Sequence, residues 1–187
     1  MDPSTEGVTL LAGFVFDVLD ACKAIGGACG PAFDMAHGYD PSRPNDWVPI
    51  DSYNAICDWL EQNSGRARIR LAGVAVGDRA YERLKAVRTI TDSSPLGMME
   101  ALRWAASTMI RDPRGRGWEI LSNAGSRIVM RRTQTFNCSL QEGLLLSFLE
   151  RTGVPAPRVE QERCVRLGDE YCEYALEWGE ALVRRSP

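Results

Sequence analysis

With 187 residues, 44% of them hydrophobic and 25% charged, the chain has the composition of one globular domain able to bury about 70% of its unfolded surface. A formal net charge of -3 argues against a general nucleic-acid binder, and the longest apolar run, VTLLAGFVFDVLDAC, is too short and too interrupted by Asp17 and Asp20 to span a membrane. No cleavable signal pattern precedes that run, so the six cysteines point to a reducing cytoplasm, where thiols stay free or bind metal instead of pairing.

Val8, Leu11, Phe14, Val15, Val18, Leu19, Cys22 and Ile25 recur at helical spacing and predict a first helix over 8–25, ended by Gly26-Gly27. The stretch 30–49, with four prolines, reads as an ordered connector holding one short helix. Tyr53, Ile56, Trp59 and Leu60 form the stripe of a second helix over 50–63, stopped at Gly65. A third is expected over 69–88, where Gly73 and Gly77 would let another backbone come close. Ser94 and Pro95 suit the cap and first turn of a helix over 95–111.

The period then changes. WEILSNAGSRIVMRRTQTF alternates and predicts a hairpin turning at Asn123-Ala124-Gly125. Ser139 and Glu142 have capping-box spacing ahead of a helix over 140–152, with Gly153 as its end. RVEQERCVRL and YCEYALEW, around Gly168-Asp169, form a second hairpin. The element order predicts an α+β fold: N-terminal helices packed on an antiparallel sheet built from two hairpins separated by a helix. Residues 1–178 are expected to make a single domain, and 179–187 a tail or the start of a linker helix.

The loop of the last hairpin decides the relation of its two cysteines. A two-residue loop pairs Val165 with Cys172 and turns Cys164 to the opposite face; a three-residue loop pairs Arg166 with Cys172 and sets both sulfurs on one face. The alternation leaves both open.

The pattern CSLQEGLLLSFLERTG, then VEQERC, then GDEYCEYALEW resembles the four-vinyl-reductase-like domain, with the match running from about 118 to 178. That module is also the sensory part of aromatic-sensing bacterial transcription activators. It shares its NO-signalling/Golgi-transport ligand-binding fold with haem-NO-binding-associated domains and with small subunits of the TRAPP tethering complex. The resemblance implies a zinc site at Cys138, Cys164 and Cys172, the positions matching three of the family's ligands. The family's glutamate position holds Gln161, so a water or a nearby carboxylate, Glu160 foremost, would have to complete the tetrahedron. Buried thiols without metal, and a disulfide switch, stand beside zinc as alternatives.

Trp118 stands near the pocket tryptophan of the phenol-sensing members, so it either lines a cavity or simply fills the core. Those members' pocket histidine has no counterpart in VRTITDSS. His37, the only histidine, sits in the connector and reads as a surface residue more readily than as a haem ligand. The basic runs at 111–117 and Arg131-Arg132 read as solvated faces, and the glutamates of the last hairpin as its wet side. No phosphate loop, Ser-His-Asp arrangement or HExxH motif is present.

The resulting expectation is a non-catalytic, cytoplasmic sensory module that binds a small hydrophobic molecule and signals through a homodimer interface or an attached effector domain. A ligand-free interaction scaffold resembling the TRAPP subunits is the alternative. A tetrapyrrole vinyl reductase is a weaker one.

Overall fold

The computed structural model describes residues 4–24 and 29–179. The chain opens with a strand, β1 (Thr9–Leu11), and only then turns into α1 (Ala12–Ala24). The apolar spacing over 8–25 is helical throughout. Its first turn is nevertheless extended, because β1 pairs antiparallel with β2 (Trp47–Pro49) on one side and β3 (Ile110–Arg111) on the other. Partners 38 and 100 residues away override local propensity there. The expected stop at Gly26-Gly27 lies outside the described residues. The connector's single short helix is α2 (Gly30–Met35).

Cys22 and Cys29 form a disulfide, which corrects the expectation that no thiols pair. Their Cα atoms lie 6.4 Å apart, within bridging range.

α3 (Ile50–Ser64) and α4 (Arg66–Ala86) are separated by Gly65 alone, whose φ of 85° breaks the helical path. α5 (Pro95–Met109) starts as expected: the Ser94 hydroxyl accepts the Gly97 N–H at 3.1 Å, and Pro95 occupies the first turn. β4 (Trp118–Ala124) and β5 (Arg127–Arg132) make the first hairpin, turning at Gly125-Ser126. After α6 (Cys138–Glu150) come β6 (Arg158–Arg163) and β7 (Cys172–Glu177). The two hairpins join through β5 and β7 into a four-stranded antiparallel sheet ordered β4-β5-β7-β6. The fold is therefore α+β, with two antiparallel sheets and helices packed on the larger one.

α6 is apolar almost all round because it is covered almost all round, by α4 on one side and by β6 and β7 on the other. The α4–α6 contact is backbone on backbone. A Cβ on Gly143 would sit 1.9 Å from the Arg70 carbonyl oxygen, and one on Gly73 2.0 Å from that of Leu140. The close approach anticipated at Gly73 is thus the contact that seats α6.

The start of α6 differs from the capping box. Asn137 is the N-cap, its side-chain oxygen accepting the Leu140 N–H at 3.0 Å. Ser139 instead donates to Glu61 of α3, and Glu142 pairs with Arg66 and Arg70 of α4. Tertiary partners took both side chains of the local motif. Among the described residues no helix is long and apolar enough to cross a membrane.

Candidate functional site

The inward face of the large sheet follows two-residue alternation. Ile128, Met130 and Arg132 of β5 lie opposite Leu176, Tyr174 and Cys172 of β7, which in turn face Val159 and Gln161 of β6. At the end of this row three sulfurs converge: Cys172 opening β7, Cys138 opening α6, and Cys164 just past β6. Cys138 Sγ lies 3.5 Å from Cys164 Sγ and 3.6 Å from Cys172 Sγ, and all three lie within 4.8 Å of one another.

Cys164 reaches the cluster by neither of the two simple hairpins. Register slips by one residue between Gln161 and Arg163, a β-bulge at Glu162 that places Cys164 next in line opposite Cys172. A 3₁₀ turn over Val165–Leu167 then closes the wide loop at Gly168, in the left-handed conformation. The Asp169 carboxylate accepts the Cys164 N–H at 2.7 Å, fixing that backbone.

Glu160 is not brought to the sulfurs. It pairs with Ala175 and is exposed beside Arg70 and Glu142, on the far face of the strand. Alternation puts Gln161 on the thiol side, and its amide nitrogen donates to the Arg163 carbonyl at 3.1 Å.

Arg132, expected on a solvated face, is 1% exposed. Its Nη2 donates to Cys138 Sγ and Cys172 Sγ at 3.3 Å each, and to the Phe136 carbonyl at 3.0 Å. Its Nε and Nη1 have no hydrogen-bond partner, and neither has the buried Tyr174 hydroxyl. The guanidinium is otherwise wrapped by the rings of Tyr174, Trp118 and Phe136, at 5.6, 5.8 and 6.0 Å. Only Arg131 of the basic pair meets solvent, where it bonds Glu119. The alternating row Ile128, Met130, Arg132 was the available sequence signal for this burial.

A buried cation without a carboxylate partner polarises its neighbours. The Cys138 thiol is held down to about 4 by the hydrogen bond from Cys172 above all, then by the Arg132 charge and the Gln161 and Cys164 contacts, against the opposing effect of burial. Cys172 is pushed up because its proton serves Cys138 and because it is buried; Cys164 is pushed up by burial and by the Cys138 charge. The cluster is three sulfurs gathered beside one buried guanidinium. Free sulfur elsewhere differs: burial pushes Cys57 up, away from reactivity.

Above the aromatic wrapping lies an apolar cavity of about 50 Å³, bounded by Phe14, Leu102, Met109, Trp118, Phe136 and Leu144 among others. Trp118 therefore lines a cavity with one face while its other neighbours are Tyr174 (ring centroids 5.5 Å apart) and Arg132. Phe14, Arg83 and Met109 separate this space from an open groove of about 740 Å³ along α1 and the connector. His37 lines the groove, is exposed, and does not reach the inner cavity.

No family model matches the sequence, and no curated protein does. The fold does have solved counterparts. A structure described as probing heme distortion in the H-NOX family superposes with a TM-score of 0.67 at 12% identity, over 95% of this chain and 100% of that one. The H-NOX domain from Shewanella oneidensis in its Fe(II)CO state gives 0.63 at 15%, over 91% and 100%. The Fe(II) unliganded H-NOX protein from K. algicida gives 0.62 at 9%, over 92% and 98%. At such identities the likeness establishes the fold.

Proposed function

We propose that the chain is a non-catalytic sensory domain that takes a small apolar molecule into the cavity beside Trp118, above a structural zinc site made by Cys138, Cys164 and Cys172. The observation that carries this reading is the apolar cavity sharing its Trp118–Phe136 wall with the thiol cluster. A ligand there presses on the rings that hold Arg132. Ligand-dependent signalling, through a dimer interface or an attached effector, requires unequal affinity for two arrangements of that wall. The H-NOX likeness and the motif resemblance to four-vinyl-reductase-like domains both support a sensory role.

The solved counterparts are described by heme and by Fe(II) with CO, so the residues here must be tested against that group. They do not fit it. A cavity of about 50 Å³ admits a molecule of a few atoms and not a macrocycle. The lining offers iron no imidazole: its donors are Met109 and Tyr53, and burial holds the Tyr53 phenol well above its usual range, as neutral hydroxyl. The sole histidine stands in an open groove together with Asp17 and Asp20.

Zinc suits the thiols. Tetrahedral zinc with Zn–S near 2.3 Å sets its sulfurs about 3.8 Å apart, and two of the three separations here are 3.5 and 3.6 Å. Bound, it would tie the start of α6 to both ends of the β6–β7 loop.

Two measurements test the proposal. Protein purified without added metal should contain close to one zinc per chain and lose it in Cys138→Ser, Cys164→Ser and Cys172→Ser, each melting lower than the parent. Metal-free protein with unchanged melting in all three would remove zinc. Xenon, a small apolar probe, should bind the parent by NMR and not the cavity-filled Ala106→Leu variant; equal binding by both would remove the cavity as the ligand site.

A further inference from the structure

We propose that the outward face of α5, centred on Trp104, is the surface through which two copies of this chain pair. Its exposed stripe is Glu100, Arg103, Trp104, Ser107 and Thr108, residues three and four apart that share one side of a helix. Trp104 is 45% exposed, and Val87, just past α4, is 62% exposed. Both line one hollow of about 460 Å³, together with Arg88, Gly97, Glu100 and Ala101. The exposed Met35, Leu71, Leu121 and Leu167 stand on four separate elements, as ordinary surface residues do. Ser107 donates to the Trp104 carbonyl at 2.7 Å, and Thr108 to the Trp104 and Ala105 carbonyls at 3.1 and 3.2 Å. Their hydroxyls are satisfied within the helix, so covering that end of the stripe strands no polar group.

A second copy is the partner this face fits, because the face complements itself. A two-fold interface needs every contact to be reciprocal. One patch here holds a projecting indole, a hollow to receive one, and charges of both signs. Among the described residues the side chains of Glu100 and Arg103 have no ion-pair or hydrogen-bond partner. When two α5 helices cross antiparallel between these positions, Glu100 of each copy meets Arg103 of the other. Each Trp104 then reaches the other copy's hollow, floored by Gly97 and Ala101. Tryptophan and arginine are the residue types that carry most interface energy. The opposite side of the same helix, with Leu102, Ala105, Ala106 and Met109, lines the inner cavity. The pairing itself needs neither cavity nor zinc; only its use in signalling rests on the sensory reading, in which a ligand displacing α5 is felt across the pair.

The test is sedimentation velocity over a concentration series, on parent and variants whose fold is checked by circular dichroism. The parent is expected to pass from monomer to dimer as concentration rises. A parent that stays monomeric to about 100 μM leaves the face to another protein or to solvent, and overturns the proposal. Trp104→Ala is expected to weaken pairing about tenfold or more, the usual loss at an interface hot spot. Glu100→Arg and Arg103→Glu each set like charges together and should weaken it too, whereas Glu100→Arg combined with Arg103→Glu should recover the parent's affinity. Leu167→Ser, on a different exposed element, should change nothing. A dimer indifferent to Trp104→Ala, a double variant no better than its singles, or the loss appearing in Leu167→Ser instead, overturns the α5 interface. None of these outcomes depends on xenon or zinc, so the interface and the cavity fail separately.

Discussion

Asp17 shows how one residue can carry two signals of opposite sign. It interrupts the apolar run of α1, which helped exclude a membrane span, yet it is buried, bonded to Arg83 and facing Arg79 and Asp20. Burial raises its pKa more than Arg83 and Arg79 lower it. A raised folded-state value means stability that is full below the unfolded pKa and is lost as pH rises through the folded one. The parent's stability relative to Asp17→Asn should therefore be greatest below about pH 4 and decline to a plateau toward neutrality, read from urea midpoints across that range. A difference that grows with pH would mean the two arginines outweigh burial. Asn137 is the second instructive residue: it caps α6 and also donates to Asp58 and Glu61. Asn137→Ala should cost about 1–2 kcal/mol, the upper range for a lost cap, measured by denaturant unfolding.

At the scale of elements, two features position the thiols. The first is the glycine seam. Gly143→Ala drives a methyl into the Arg70 carbonyl, so α6 must shift away from α4 or tilt. We expect a loss of about 3 kcal/mol, at the upper end for overpacking, and with it displacement of Cys138. The same substitution at Gly30, a helical glycine where a Cβ meets nothing within 4 Å, is the control for local glycine effects. The second is the bulge. Deleting Glu162 removes the extra residue, so Gln161, Arg163 and Cys164 alternate regularly and Cys164 stays opposite Cys172, whereas inserting one residue after Glu162 would turn it to the other face. The deletion should therefore keep metal binding and the insertion abolish it, with the far end of the sheet, Ile128 against Leu176, intact by hydrogen exchange in both.

For the whole molecule, the proposed metal site would link binding to folding. If the three thiols gather only in the folded chain, zinc stabilises it by an amount set by concentration over affinity, about 4 kcal/mol at a thousandfold excess. The melting temperature should fall on chelation, recover on adding zinc, and respond to neither in Cys164→Ser. Scanning calorimetry would show it.

Much of this architecture was legible in the chain. Helical spacing located α3, α4, α5 and α6, turn residues separated the two hairpins, and the motif around Cys138, Cys164 and Cys172 pointed to one corner of the molecule. The helices and turns are local patterns, written in spacings of two to four residues, and physics reads them locally; the gathering of the three cysteines was implied by the motif resemblance alone. What required tertiary structure was every feature set by a distant partner. β1 exists because strands far along the chain pair with it. The capping box yielded because Glu61, Arg66 and Arg70 claimed its side chains. Arg132 is buried because rings and thiols from three other segments close around it, and Glu160 faces away because the bulge lies after it, not before. Hydrophobic period reports which face of an element is apolar; which charge lies buried behind that face depends on what packs against it.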